Sequence, residues 1–173
     1  TCLYGVIIPP EGGDTRFSNQ HKALDAMPED MRQIYEGKTA VHSARHAYTD
    51  EGAYSEKNFQ GAMNFRISEE AAETQTHPLV RPHPESGQLG LMGGSYVVDL
   101  EDTDPADTQI LLRDLYNWQG REEFVYQHKW EPDMLVIWDN RSVLHQASGG
   151  YEGYERRLHR LTIADDPDYY VKG

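Results

Sequence analysis

"IWDNRSVLHQA", residues 137–147, is the stretch of sequence that points most directly to a fold. Two apolar residues lead into a polar turn that begins at Asp139, and a second apolar run carries His145. This order predicts a strand, a tight turn and a second strand. Because side chains alternate along a strand, His145 should share a face with Val143 and Ala147. A histidine held in this way is either a structural residue or a ligand.

The remaining pattern is rich in short strands, with few helices. Residues 27–37 and 102–120 have helical spacing and clear start signals, such as Asp104 before Pro105. Strand-like segments lie at 1–9, 38–46, 123–130, 134–139, 142–147 and 157–164. Short strands joined by turns favour an antiparallel sandwich or barrel over alternating βαβ units. We therefore predict a mainly β, jelly-roll-like fold with inserted helices.

The length and composition indicate one globular domain. The 173 residues suffice for a single core, so we expect residues 1–173 to form one domain of the catalytic type. A long polar stretch with scattered aromatic residues, at about 47–76, is expected to be a lid-like insertion.

Charge and cysteine content exclude several classes of protein. Asp and Glu outnumber Lys and Arg by 29 to 16, giving a net charge of −13, which argues against binding to nucleic acid. The single cysteine, Cys2, excludes an intrachain disulfide framework and a cysteine metal cluster, and is typical of a cytoplasmic protein. No apolar run approaches the ~20 residues that a membrane span needs.

Two arginines near the C-terminal end are candidates for binding an anion. In an extended segment Arg156 and Arg160 point to the same face, and guanidinium groups suit a carboxylate. A surface pair bonded to some of the many acidic side chains is the alternative. Thr15, after the Gly-rich turn "GGDT", could add a hydroxyl, although a turn threonine usually caps the backbone.

Six motifs, in this order, carry a resemblance to a known family. They are "GGDT-x-F", "VHS", "HPLVRPHPESG", "FVYQHKW", "IWDNRSVLHQA" and "RRLHRLTI". The sequence resembles the taurine dioxygenase and 2,4-dichlorophenoxyacetate dioxygenase (TauD/TfdA) family, over nearly all of its length. The resemblance implies a double-stranded β-helix (jelly-roll) fold and an enzyme that uses Fe(II), 2-oxoglutarate and O2.

The resemblance also assigns roles to individual residues. His145 matches the distal histidine ligand of the iron, and Arg156 matches the arginine that pairs with the C5 carboxylate of 2-oxoglutarate. Thr15 matches the threonine that assists there. Arg160 matches a second arginine, near the C1 carboxylate or an acidic group of the substrate. Tyr48 falls where the family places an aromatic residue against the substrate.

One part of the family pattern is missing. The iron of this family is held by a His-x-Asp pair together with the distal histidine. The sequence contains eight histidines but no His-x-Asp. In the family that pair lies shortly before the segment that matches the first residues here. We therefore expect the chain to resemble the C-terminal part of a longer protein, with a jelly roll that is incomplete at its N-terminus.

The implied reaction is hydroxylation of a small organic acid, aryloxyalkanoate-like or sulfonate-like, with cleavage of a C–O or C–S bond. A homo-oligomer, dimer or tetramer, is also expected from the family. Two alternatives remain open from the residues alone. The chain could be an iron-free relative that binds a carboxylate, or an inactive fragment that needs another chain to fold.

Overall fold

The computed structural model describes residues 1–59 and 65–164. The strands are β1 Cys2–Ile7, β2 Thr15–Asn19, β3 Thr39–His42, β4 Gln75–Pro78, β5 Val80–Pro82, β6 Leu89–Leu91, β7 Val97–Leu100, β8 Val125–His128, β9 Leu135–Ile137, β10 Val143–Ala147 and β11 Arg157–Leu161. The α-helices are α1 Gln20–Asp25, α2 Glu29–Tyr35, α3 Arg45–Tyr48 and α4 Pro105–Gln119, with short 3-10 helices at Glu69–Ala72 and Glu122–Phe124. The fold is mainly β with a few helices, as predicted.

The described residues divide into two compact units. The first contains residues 1–26, 82–90 and 120–164, and the second contains residues 27–81 and 91–119. The expectation that residues 1–173 form one domain stays a prediction.

The first unit contains two antiparallel three-stranded sheets. Their strand orders are β11-β1-β9 and β10-β2-β8. In the second sheet His145 lies opposite Phe17, and Thr15 lies between Ala147 and His128. Residues paired across antiparallel strands share a face, as do residues two apart on one strand. The register therefore places all five of these side chains on one face of the sheet.

The second unit packs α4 beside the antiparallel sheet β4-β3-β7. Its core includes Ala40, Leu79, Leu100 and Leu115, which are almost completely buried. The spacing of Met31, Ile34 and Tyr35 predicts a buried stripe on α2, and this prediction is only partly correct. Tyr35 is buried and its hydroxyl donates to the carbonyl of Leu111 at 2.8 Å, whereas Ile34 is 45% exposed.

The segment 47–76 also lies in the second unit, and it is less irregular than a bare loop. It includes the end of α3, the 3-10 helix Glu69–Ala72 and the start of β4. Residues 60–64 of the expected lid lie outside the described residues. In the described ranges, none of the helices is both long and apolar enough to cross a membrane.

Candidate active site

His145 lies on β10, and its imidazole has no hydrogen-bond partner among the described residues. Its ring lies 4.9 Å from the ring of Trp138 and 6.5 Å from that of Phe17, measured between centroids. Neither ring nitrogen makes a hydrogen bond to any residue in 1–59 or 65–164. Partial burial lowers the pKa of His145, and the positive charge of Arg160 lowers it further. The imidazole is therefore neutral at neutral pH and keeps a nitrogen lone pair for a ligand.

The turn that precedes β10 is held by the carboxylate of Asp139. Its oxygens accept hydrogen bonds from the Arg141 backbone amide at 2.8 Å and from the Arg141 guanidinium at 2.7–3.0 Å. The backbone amides of Ser142 and Val143 donate to the Asp139 carbonyl. The Arg141 hydrogen bonds hold the pKa of Asp139 well below its usual range. This strand–turn–strand confirms the prediction for residues 137–147.

The turn that begins at His83 makes further contacts to the Asp139 turn. Nδ1 of His83 accepts hydrogen bonds from the amides of Glu85 and Ser86, at 3.3 and 3.2 Å. Nδ1 is therefore the unprotonated nitrogen, so Nε2 carries the proton and donates it to Asp139 at 2.9 Å. The Glu85 carboxylate also pairs with Arg141 at 2.9 Å. His83 was not among the predicted site residues, since its partner is 56 positions away in sequence.

Thr15 begins β2 and is buried. Its hydroxyl oxygen accepts a hydrogen bond from the indole nitrogen of Trp130 at 3.0 Å. Thr15 lies two positions from Phe17, the residue opposite His145, so Thr15 and His145 are diagonal neighbours on the same face. The structure thus brings together two residues that the sequence placed in one site.

Arg156 lies just before β11 and is half-buried. Its Nε and one terminal nitrogen both donate to the Gly13 carbonyl, at 3.1 and 2.9 Å, and its guanidinium lies 5.6 Å from the Tyr151 ring centroid. Burial lowers the pKa of Arg156. Gly13 is two residues from Thr15, so Arg156 and Thr15 are anchored on the same short turn.

Arg160 lies on β11, opposite Leu3 of β1, and its charge acts on His145. In the part of the chain that the structure describes, neither Arg156 nor Arg160 has a carboxylate within ion-pair distance. Among the described acidic residues, none therefore pairs with either guanidinium. A shared anion between the two arginines stays a prediction.

Tyr48 lies in the second unit, in a cluster of aromatic side chains. Its ring is 5.2 Å from that of Tyr54 and 6.0 Å from that of Phe65. Tyr54 and Phe65 are stacked at 4.2 Å, and Phe59 packs edge-on against both. The role of Tyr48 in contacting a substrate stays a prediction.

The described ranges contain no group of three His, Cys, Asp or Glu side chains placed to hold a metal ion. A facial iron site needs two histidines and one carboxylate, and His145 supplies one of these. The donor set in residues 1–59 and 65–164 therefore does not amount to a complete iron site.

Comparison with known proteins identifies the family. Residues 1–162 match the family model described as taurine catabolism dioxygenase TauD, TfdA family. The chain belongs to the TauD/TfdA family. The resemblance that the sequence motifs carried is thereby confirmed.

The names of individual TauD/TfdA relatives refer to different substrates. The alpha-ketoglutarate-dependent 2,4-dichlorophenoxyacetate dioxygenase of Cupriavidus pinatubonensis is 35% identical over 96% of this chain and 55% of its own length. An alkylsulfatase of Acinetobacter baylyi is 32% identical over 96% of this chain and 52% of its own length. The crystal structure of a taurine dioxygenase from Burkholderia xenovorans is 29% identical, with a TM-score of 0.72 over 91% of this chain and 50% of that one. The chain spans about half the length of these relatives.

Proposed function

We propose that the protein is an Fe(II)- and 2-oxoglutarate-dependent dioxygenase that hydroxylates a small organic acid. Membership of the TauD/TfdA family supports this activity. The observation that carries the proposal is the face of the β10-β2-β8 sheet. It presents a free imidazole, His145, beside a buried hydroxyl, Thr15. Arg156 and Arg160 have no acidic partners in the described ranges, and in this proposal they supply the positively charged hydrogen-bond donors that the carboxylates of 2-oxoglutarate require.

In this proposal each residue has one task. His145 is the distal ligand of Fe(II), with its nitrogen lone pair. Arg156 and Thr15 bind the C5 carboxylate of 2-oxoglutarate, because both are anchored on the Gly13–Thr15 turn. Arg160 binds the C1 carboxylate or an acidic group of the substrate. The family pattern assigns Tyr48 to the substrate.

The iron itself is not fully accounted for by these residues. When bound, Fe(II) supplies the activation of O2 on which the family's chemistry depends. His145 suits one ligand position, and at least one of the other two ligands would have to come from outside the described residues. In this proposal the described residues supply a binding face for a carboxylate next to the imidazole of His145.

The substrate class follows from the names of the relatives. One is a 2,4-dichlorophenoxyacetate dioxygenase and another is an alkylsulfatase. The first name favours an aryloxyalkanoate-like substrate and the second a sulfur-containing acid. We propose an aryloxyalkanoate-like or sulfonate-like organic acid, with cleavage of a C–O or C–S bond after hydroxylation. We further propose a jelly-roll fold, a cytoplasmic location and a homo-oligomer, dimer or tetramer.

A second function is favoured by one specific observation. Because the described ranges hold no three-ligand metal cluster, an iron-free relative that only binds a carboxylate remains a candidate. Measuring the mass, the iron content and the 2-oxoglutarate turnover of the same purified sample separates the two. Stoichiometric iron with succinate formation supports the dioxygenase. Tight 2-oxoglutarate binding without iron or succinate would overturn it in favour of the binding protein.

A further inference from the structure

The indole of Trp130 determines how the Thr15 hydroxyl can be used. Nε1 of Trp130 lies 3.0 Å from Oγ1 of Thr15, and both side chains are buried. An indole nitrogen can only donate, so the hydroxyl oxygen is the acceptor in this bond. The hydrogen of the Thr15 hydroxyl is therefore left over for another partner.

That hydrogen has no acceptor in residues 1–59 or 65–164. Thr15 is only 3% exposed, and buried polar groups are rarely left unpaired in folded proteins. A buried hydroxyl that accepts on one side and has an unused donor on the other is suited to donate to a bound oxygen atom.

His128 is a second buried side chain beside Thr15 and Trp130. His128 lies directly opposite Thr15 in the register of β8 and β2, and its ring packs edge-on against Trp130 at 4.8 Å. Its Nε2 is buried and lacks a hydrogen-bond partner within the described ranges. The edge-on contact also fixes the indole plane, so the direction in which Trp130 donates is set by packing.

The charge for an anionic ligand comes from Arg156. Two of its nitrogens hold the Gly13 carbonyl, two residues before Thr15, and its remaining N–H groups are unused by protein acceptors in the described part of the chain. One guanidinium and one oriented hydroxyl are thus anchored on a single turn. A carboxylate can accept from both at once.

We propose that Trp130 is a positioning residue for this carboxylate site. By donating to the Thr15 oxygen, it turns the hydroxyl hydrogen toward the far carboxylate of 2-oxoglutarate. This inference rests on the proposed function, because it takes 2-oxoglutarate as the ligand.

A double-mutant cycle tests the proposal through binding rather than turnover. The dissociation constant of 2-oxoglutarate is measured by calorimetry for the wild-type protein, Trp130→Phe, Thr15→Val and the double variant. Loss of one hydrogen bond predicts binding about 3- to 10-fold weaker for each single variant. If Trp130 acts through the hydroxyl, Trp130→Phe should cost nothing further once Thr15 is valine. Trp118→Phe, on α4 in the second unit, is the matched control and should bind as wild type does.

Two additions separate positioning from general loss of structure. Thr15→Ser keeps the hydroxyl, so the cost of Trp130→Phe should reappear in that background. Pyruvate lacks the far carboxylate, so its weaker binding should not respond to Trp130→Phe at all. Equal, additive losses for both ligands would overturn the positioning role and leave the proposed function intact. A wild-type protein that does not bind 2-oxoglutarate would overturn the proposed function itself, and this inference with it.

Discussion

Arg156 and Arg157 are neighbours in sequence with different surroundings. Arg156 is half-buried on the Gly13 carbonyl and has no acidic partner among the described residues, whereas Arg157 is exposed and pairs with Glu155 at 3.0 Å. We expect Arg156→Ala to weaken 2-oxoglutarate binding by about 10-fold or more, because a charge-assisted bond is lost. Arg157→Ala should stay within about 2-fold, because exposed ion pairs contribute little. Equal effects of the two variants in a binding titration would contradict the assignment of Arg156.

The lowered pKa values of two histidines in the second unit lead to a prediction of how stability depends on pH. Burial lowers the pKa of both His42 and His77, whose rings lie 5.3 Å apart, and the charge of Arg81 lowers both further. The unfolded chain therefore takes up protons at a higher pH than the folded chain does. The free energy of unfolding should fall as the pH drops below about 6.5, the ordinary value for histidine.

Urea unfolding at about pH 7.5 and about pH 5.5 measures this dependence, with a lower midpoint expected at the acidic pH. His77→Gln should reduce the difference between the two midpoints, because it removes one of the two titrating groups. His159→Gln, on β11, provides a comparison at a histidine of the first unit. A wild-type midpoint that rises on acidification would show that the pKa directions are wrong.

At the scale of elements, the turn before β2 depends on Gly12. Its φ is +69°, and a Cβ there would overlap the backbone of Gly150. The same turn is joined to the Ser148–Gly150 segment by hydrogen bonds from Gly13 to Gly149 and from Ser148 to Asp14. Gly12→Ala should lower stability by more than the ~1–2 kcal/mol expected from a left-handed backbone alone, because the two turns must also separate.

Gly153→Ala is the matched control for this variant. Gly153 has a φ of +89°, and nothing lies within 4 Å of a Cβ at that position. The control therefore carries the conformational cost without the collision. Gly12→Ala should also weaken 2-oxoglutarate binding, since Arg156 and Thr15 both depend on the turn. If the two alanine variants have the same thermal unfolding curves, overlap with the Gly150 backbone does not add to the cost of Gly12→Ala.

Local signals in the sequence were sufficient for some elements and insufficient for others. Asp104 and Pro105 predicted the start of α4, and the Asp104 carboxylate does accept the Ala106 amide at 2.9 Å. Helix α1 was not predicted, although Asn19 caps it by accepting the Lys22 amide. It is only six residues long, and it has no acidic residue in its first turn. A helix that short depends on packing that the sequence pattern does not reveal.

The same limit applies to the site. The roles proposed for His145, Thr15 and Arg156 come from the family pattern. The motifs also contain His83 and Trp130, but they do not show which residues these two side chains bond to, because those partners lie 56 and 115 positions away. Contacts over such separations follow from the register of the sheets, and a single sequence does not fix that register.

At the scale of the whole molecule, one face of the β11-β1-β9 sheet is apolar and open to solvent. Leu161, Cys2 and Ile137 form a row across its three strands, and Leu135 extends the row along β9. The three aliphatic side chains among these are 60–64% exposed. Contiguous apolar surface of this kind on a β-sheet favours association.

We therefore expect the 173-residue chain to associate in a concentration-dependent manner through this face. Replacing Ile137 and Leu161 together by threonine should shift the sedimentation profile toward monomer, because threonine suits a strand and removes apolar surface. Ile110→Thr is the control, since Ile110 is 48% exposed but lies on α4 in the second unit. An unchanged profile for the double variant, or an equal shift for Ile110→Thr, would show that this face does not drive association. The family expectation of a homo-oligomer would then have to rest on another surface.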